Sequence, residues 1–144
     1  MPQPRTPALA VDLVIELADR PGRPIVLIER RFPPPGHALP GGFVDLGETV
    51  EDAARREARE ETGLEVTLER LLGVYSDPAR DPRGHTVSLV YIARASGEPA
   101  AGDDAASVLV TDPQAAAVAG LAFDHGRILG DYLAFRRAGR GAGR

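Results

Sequence analysis

The sequence of 144 residues contains no cysteine, and this absence excludes several kinds of chemistry. A chain without thiols forms no disulfide, has no cysteine nucleophile and holds no metal through thiolates. Any metal must therefore be bound by oxygen atoms or by the imidazoles of the three histidines.

Long apolar runs are also missing. No stretch approaches the roughly 18 to 20 residues of a membrane span, and the apolar segment near the N-terminus is interrupted by Asp12 and Glu16. That segment also lacks the length and the small-residue cleavage site of a signal peptide. We therefore expect a cytoplasmic protein that does not bind a membrane.

The sequence has no lysine and no strong excess of either charge. Its 17 basic residues, all arginine, and its 21 acidic residues give a formal net charge of -4 and a pI near 5.4. Such a balance provides no general attraction to nucleic acid or to an anionic membrane. We expect a small-molecule partner and no nucleic acid, and an anionic substrate would have to be attracted by local positive charge.

The length is that of one ordinary domain with its own core. We expect a flexible N-terminus over residues 1–7 and a single domain over residues 8–137. The last segment, residues 138–144, is rich in glycine and arginine and is predicted to be disordered.

Hydrophobic and β-branched patterning predicts five strands, over residues 8–17, 24–30, 66–75, 86–95 and 107–111. Residues 32–47 are predicted to form a long loop. Thr49 is suited to cap a helix that Gly63 ends, and a last helix is predicted over residues 124–137 with an apolar face. Because strands and helices do not alternate strictly, the pattern favours an α+β, sandwich-like fold.

The first of these helices carries three carboxylates on one face. Glu57, Glu60 and Glu61 stand at positions i, i+3 and i+4, so their side chains project in similar directions and repel one another. A hard cation would turn that repulsion into ligation, and Mg²⁺ suits an all-oxygen site that substrate phosphates complete. The alternative is a solvated helix face with ion pairs, which is the usual meaning of such a charge run.

Residues around this helix support the metal interpretation. The Gly41-Gly42 pair allows the backbone to approach a cation closely and to offer a carbonyl oxygen. Arg56 and Glu48 are suited to hold the carboxylates in place through charge-assisted hydrogen bonds.

The spacing of Gly42, Glu48 and the segment from Arg56 to Leu64 resembles the Nudix box. That pattern is Gly, five residues, Glu, seven residues, then Arg-Glu-apolar-any-Glu-Glu-any-Gly-apolar, and every fixed position matches, with Ala58 a small version of the usual apolar residue. The resemblance implies the Nudix fold, a mixed β-sheet between helices, and a hydrolase that cleaves a diphosphate linkage with Mg²⁺, for which Mn²⁺ can substitute.

By matching positions, the resemblance also implies roles for individual residues. Glu57 and Glu61 correspond to principal metal ligands, Glu60 to a shared or water-mediated ligand, and the carbonyl of Gly41 to a backbone ligand. Catalytic and orienting roles fall to Glu60, Arg56 and Glu48, and the general base is either a glutamate of the box or Asp104, whose alternative role is that of a polar turn residue.

Three further stretches, residues 39–45, 76–85 and 122–125, resemble small prokaryotic ADP-ribose pyrophosphatases of the Nudix superfamily. In the middle stretch Arg80, Arg83 and His85 are suited to meet a phosphate or a ribose, although they can equally belong to a hairpin closed by ion pairs. His125 and Asp124 are expected to serve the first turn of the last helix. Phe32 and Phe43 are suited to contact a base, but core packing is the expected role of Phe43.

The leading hypothesis is hydrolysis of ADP-ribose to AMP and ribose 5-phosphate. One alternative is a MutT-like (d)NTP pyrophosphohydrolase, and an alternative of another class is a non-catalytic, nucleotide-sensing Nudix module. A homodimer is expected from the resemblance alone.

Overall fold

The structure is a computed structural model that describes the backbone of residues 3–102 and 105–142 and the side chains as far as residue 139. Asp104, the predicted loop base, lies outside the described residues. No helix within the described ranges is long and apolar enough to cross a membrane.

Seven strands form one sheet in the described part of the chain. They are β1 (Ala8–Leu17), β2 (Ile25–Arg30), β3 (His37–Ala38), β4 (Gly41–Phe43), β5 (Thr67–Tyr75), β6 (Thr86–Ala95) and β7 (Ala105–Thr111). The path β3-β2-β1-β6-β5 is extended by β4 on β1 and by β7 on β2. Strands β1 and β6 run parallel and the other pairs antiparallel, so the sheet is mixed, as predicted.

Strand β1 is central because both of its faces are covered. Its side chains alternate between the two faces of the sheet, and the odd-numbered ones, from Val11 to Leu17, pack toward the first helix. The even-numbered Val14 packs toward the last helix. Asp12 and Glu16 point to that same second face and are both buried, so each needs a polar partner there.

The first helix, α1 (Val50–Thr62), begins and ends where the sequence predicted. The Thr49 hydroxyl accepts a hydrogen bond from the Asp52 amide at 3.1 Å, and Gly63 adopts the left-handed conformation with φ 72° that ends a helix without steric cost. Ala53, Ala54 and Ala58 are fully buried against the sheet. Their small side chains fit the close packing of helix on sheet, which explains why Ala58 suffices where a larger apolar residue is usual.

The other face of the sheet is covered by α2 (Pro113–Ala119) and α3 (His125–Ala142). Ile128, Leu129 and Tyr132 are fully buried there, as the apolar spacing of the last helix predicted. The sheet therefore lies between helices, and the predicted α+β class is confirmed.

Three local predictions need correction. Residues 32–47 contain β3 and β4, which are too short to show a period of their own. Helix α2 was not predicted, although Asp112-Pro113 is a typical N-cap and first-turn pair and the Asp112 side chain does accept a bond from the Ala115 amide. Helix α3 continues to Ala142, beyond residue 137 where the sequence predicted its end, because alanine and arginine favour helix despite the glycines between them. The domain limits, including the disordered tail, stay predictions.

Candidate active site

A cleft of about 340 Å³ opens where β1, β2 and β4 meet α1 and the loop before β6. One wall carries Glu57 and Glu61 of α1 and the glycines of β4, and this wall is called the carboxylate wall below. A second group of lining residues comes from three separate segments of the chain and is called the opposite wall below; its residues are Arg30, Arg80, Asp81, Arg83, Phe123 and His125.

Two glycines fix the carboxylate wall. The Gly41 amide donates a hydrogen bond of 2.7 Å to Glu61 Oε1, and a Cβ at Gly41 would overlap the Val11 carbonyl oxygen. A Cβ at Gly42 would lie 2.5 Å from the carboxylate carbon of Glu57. Only glycine at both positions lets β4 lie against β1 and the two carboxylates at once.

Arg56 joins this wall to the loop before α1. Its Nε and Nη2 donate to the two oxygens of Glu48 at 2.7 and 2.9 Å, and Nη2 also donates to the Phe43 carbonyl at 3.0 Å. Its Nη1 donates to Glu57 at 2.8 Å and to Glu60 at 3.1 Å. Hydrogen bonds to Glu48 first, and then to Glu57, raise the pKa of Arg56, while the Arg56 hydrogen bonds lower the pKa of Glu48 to about 2.

The donor atoms of the carboxylate wall fit a hard divalent cation. Within the described ranges no three acidic or histidine side chains are gathered tightly enough to hold a metal ion as they stand. Glu57 and Glu61 line the cleft beside Gly41, whereas Glu60 does not and contacts Arg56. Two carboxylates and a backbone oxygen match Mg²⁺, which takes few protein ligands and keeps waters or substrate phosphates.

On the opposite wall, Arg80 is held in a buried ion pair. Its Nε and Nη2 donate to the two oxygens of Asp124 at 2.9 and 2.7 Å, and only 4% of the Arg80 side chain is exposed. Burial alone would lower the pKa of Arg80, but the hydrogen bonds to Asp124 raise it above its usual value. The Asp124 side chain therefore binds Arg80, and the Nε and Nη2 atoms of Arg80 are already hydrogen-bonded.

Arg83 reaches the cleft with one edge bound to Asp81. Its Nε and Nη2 donate to Asp81 at 3.1 and 2.8 Å, and the Arg83 amide donates to the same carboxylate at 2.9 Å. Burial would raise the pKa of Asp81, but these hydrogen bonds lower it below its usual value. The hairpin interpretation expects ion pairs within this loop. The pair between Asp81 and Arg83 is present, whereas Arg80 pairs with Asp124 outside the loop.

His85, the third predicted substrate contact, is not among the residues that line the cleft. It is exposed, and its Nε2 lies 3.0 Å from the Ser76 carbonyl oxygen. The ring ties the two ends of the loop together, which is a structural role.

Asp12 and His125 also line the cleft, and both are buried. The Ser88 hydroxyl donates to Asp12 Oδ2 at 2.5 Å, and burial, only partly offset by that bond, raises the pKa of Asp12 to about 7. The Leu39 amide donates to Nδ1 of His125 at 3.0 Å, and burial lowers the pKa of His125 to about 3. Neutral His125 thus connects the start of α3 to the Leu39 backbone, two residues before Gly41. The sequence had indicated a role for His125 only within its own helix.

The sequence did not single out Arg30 or Phe123, and it was wrong about Phe43. Phe43 is 45% exposed and lines the cleft with Arg30 and Phe123, so it does not pack in the core. Phe123 has a positive φ of 57°, which side chains other than glycine rarely adopt. Arg30, Phe43 and Phe123 are far apart in the sequence and form no motif. They meet only because the fold brings their segments together at the cleft.

Comparison with known proteins agrees with the geometry of the carboxylate wall. Residues 6–132 match the NUDIX domain, and the chain therefore belongs to the NUDIX family. The fold agrees with this assignment, and the Nudix hydrolase that the box predicted is confirmed.

Among relatives, the chain is 48% identical over 133 residues to an ADP-ribose pyrophosphatase of Methanocaldococcus jannaschii, covering 90% of this chain and 75% of that protein. A MutT/nudix family protein of Enterococcus faecalis superposes with a TM-score of 0.79 at 33% identity; the match covers 91% of this chain and 62% of that one. A bifunctional NMN adenylyltransferase/ADP ribose pyrophosphatase of Francisella tularensis, complexed with AMP and a manganese ion, gives a TM-score of 0.74 at 27% identity and covers 89% of this chain and 41% of that one.

Proposed function

We propose that this protein hydrolyses the diphosphate linkage of ADP-ribose and releases AMP and ribose 5-phosphate. One observation carries the proposal: a single cleft places two metal-suited carboxylates on one wall and aromatic and guanidinium groups on the other. A substrate with a diphosphate between a nucleoside and a second sugar requires both kinds of surface. The 48% identity to a pyrophosphatase of that specificity supports the choice.

The site residues divide the work between them. Glu57, Glu61 and the Gly41 carbonyl would hold Mg²⁺ or Mn²⁺, and the bound cation would supply charge neutralisation at the diphosphate and a more acidic water. Arg56 orients Glu57 through its 2.8 Å hydrogen bond, and Glu48 orients Arg56 by a bidentate contact. These contacts fix the Glu57 carboxylate beside Gly42.

Proton removal from the attacking water is assigned to an acidic residue near this wall. Glu60 is a candidate because its side chain is 39% exposed and lies about one helical turn from Glu57 on the same face of α1. Asp104 is the second candidate from the sequence. A pH–rate profile of Glu60→Gln and of Asp104→Asn distinguishes them, since only loss of the base removes the limb at low pH.

The MutT-like alternative makes a different prediction about products. An enzyme of that type would release pyrophosphate from a (d)NTP, whereas the proposed enzyme yields two monophosphates from ADP-ribose. A non-catalytic sensing module would bind ADP-ribose and convert none of it. Cytoplasmic location and a homodimer remain predictions from the sequence.

The test is a substrate panel with product analysis. Purified protein is incubated with ADP-ribose, NADH, a diadenosine polyphosphate and dNTPs in Mg²⁺, in Mn²⁺ and in EDTA. Preferred conversion of ADP-ribose to AMP and ribose 5-phosphate, lost in EDTA, supports the proposal. Preference for a dNTP with release of pyrophosphate would overturn the substrate, and undiminished turnover in EDTA would overturn the role of the metal.

A further inference from the structure

A cluster of two phenylalanines and two arginines lies in the cleft, on the opposite wall and the adjoining β4. The Arg83 guanidinium carbon lies 5.4 Å from the ring centroid of Phe43 and 5.1 Å from that of Phe123. The Arg30 guanidinium lies 4.8 Å from the centroid of Phe123. All four side chains line the cleft, so the cluster presents flat groups to whatever enters it.

The edge of Arg83 is committed inside the protein. Asp81 accepts from Nε and Nη2 of the guanidinium and from the Arg83 amide. The Asp81 side chain is 2% exposed, so this carboxylate cannot turn toward solvent and release the arginine without losing buried hydrogen bonds. Because Nε and Nη2 bind Asp81, this bidentate edge of the guanidinium is not available to a phosphate.

Arg83 lies beside the two rings and keeps 44% of its side chain exposed, so part of this group stays open to a ligand. Guanidinium planes and aromatic rings both stack on nucleobases, and such stacking does not depend on hydrogen bonding to the base. Phe43 is 45% exposed and lines the cleft, so part of its ring is open to a ligand. The carboxylate wall, which suits the diphosphate, borders this cluster through β4, since Phe43 directly follows Gly42.

We propose that Arg83, Phe43 and Phe123 form a stacking surface for the nucleobase of the substrate, and that Asp81 is a positioning residue that holds Arg83 beside the two rings. The inference deepens the proposed function, on which it rests, by assigning the base to a particular place. It replaces the expectation from the sequence that Arg83 meets a phosphate or a ribose. Arg83 then contributes to the choice of substrate and not to the chemical step.

The test compares two ligands that differ by the nucleobase. AMP and ribose 5-phosphate are titrated separately into ¹⁵N-labelled protein in EDTA, and dissociation constants are taken from the NMR shift changes. The wild type is expected to bind AMP about ten- to a hundredfold more tightly than ribose 5-phosphate, as one stacked base provides. Arg83→Ala is expected to remove most of that ratio and to change the affinity for ribose 5-phosphate less than about twofold.

Arg83→Lys is the matched control because it keeps the charge and loses the plane. On the stacking proposal it behaves like Arg83→Ala, whereas a phosphate-binding role would let lysine restore binding. Asp81→Ala is expected to lower the same ratio without removing Arg83; if this variant does not fold, the lysine variant still decides the matter.

Several results would overturn the inference. These are equal weakening of both ligands by Arg83→Ala, rescue by lysine, an unchanged ratio, and a wild type that does not distinguish AMP from ribose 5-phosphate. Failure of the proposed function is recognised separately, because binding in EDTA does not require turnover. A protein that shows the expected ratios but does not hydrolyse ADP-ribose would retain the stacking surface and lose the proposed reaction.

Discussion

The two walls of the cleft are built in different ways. The carboxylate wall comes from residues 41–61, which are continuous in sequence and held by contacts within that segment. The opposite wall collects side chains from β2, from the loop before β6 and from the start of α3. Spacing along one helix is visible in a sequence, but the meeting of three distant segments is not.

The walls also differ in how their charges are used. On the carboxylate wall, one arginine, Arg56, is shared among Glu48, Glu57 and Glu60, so acidic groups are in excess. On the opposite wall Arg80 and Arg83 each have a dedicated aspartate. An excess of acidic groups suits the binding of a cation, whereas arginines that are each neutralised by an aspartate suit contacts with the flat parts of a substrate. This contrast indicates that the carboxylate wall carries the chemistry and the opposite wall recognises the substrate.

The largest effect is expected on the carboxylate wall. Glu57→Gln and Glu61→Gln should each lower kcat for ADP-ribose by about two or more orders of magnitude, because an amide is a poor ligand for a hard cation. Glutamine can still accept the bonds from Arg56 and from the Gly41 amide, so thermal stability should be unchanged or slightly higher. Steady-state kinetics and thermal melts check both parts.

Glu65→Gln is the matched control for these variants. Glu65 is exposed and forms a long contact of 3.7 Å with Arg59, so its loss should leave kcat unchanged. Near-wild-type rates for Glu57→Gln or Glu61→Gln would show that the ligand assignment is wrong.

The next largest effect is expected from the buried ion pair of the opposite wall. Asp124→Asn leaves the Arg80 charge in a site where only 4% of its side chain is exposed. Breaking one partner of such a pair costs about 3 to 5 kcal/mol of unfolding free energy. Chemical denaturation of the single variant measures this loss.

The double variant Arg80→Met/Asp124→Asn separates charge from packing. Because it removes the uncompensated charge, it should be more stable than Asp124→Asn alone. A double variant less stable than the single one would mean that Arg80 stabilises the fold through its packing.

A pH-dependent effect is expected at His125. Burial lowers the pKa of His125 to about 3, below the unfolded value near 6.5, so the unfolded state binds the proton first as the pH falls. The stability linked to neutral His125 is complete above about pH 6.5 and is lost on acidification, by up to roughly 1.4 kcal/mol for each pH unit until about pH 3.

The experiment compares the unfolding free energy of the wild type and His125→Asn between pH 7 and pH 4. Asparagine keeps an acceptor for the Leu39 amide and does not titrate, so the wild type should lose stability relative to the variant on acidification. The titratable and charged groups that face His125 remain in both proteins; they are Asp12, Arg30, Arg80, Asp81 and Asp124. Asp12, whose pKa is raised to about 7, takes up a proton over this pH range in both proteins, so its effect is common to the two curves. A difference that stays constant with pH would contradict the assignment of a buried neutral imidazole.

A smaller effect is expected at the start of α1. Thr49→Ala removes the acceptor for the Asp52 amide and should lower the unfolding free energy by about 1 kcal/mol. Thr49→Ser keeps the acceptor and should recover most of that loss. Equal stability of the alanine and serine variants would show that the cap contributes nothing measurable.

The sequence was informative where structure is local. It predicted β1, β6 and the limits of α1, because patterning, the Thr49 cap and Gly63 act within a few residues. It missed α2, a short helix held by the buried Pro113 and Ala116, and it ended α3 too early, because the glycines near the end of that helix disfavour helix. It placed Phe43 in the core and overlooked Phe123, since neither residue's surroundings are set by its sequence neighbours.

The division of labour between the walls can be tested by measuring kcat and KM for ADP-ribose in the wild type, Glu61→Gln and Arg83→Ala under one condition with saturating Mg²⁺. The account predicts that Glu61→Gln lowers kcat by about two or more orders of magnitude, while Arg83→Ala raises KM by about tenfold or more and leaves kcat within a few-fold. A loss confined to kcat in Arg83→Ala, or confined to KM in Glu61→Gln, would contradict it.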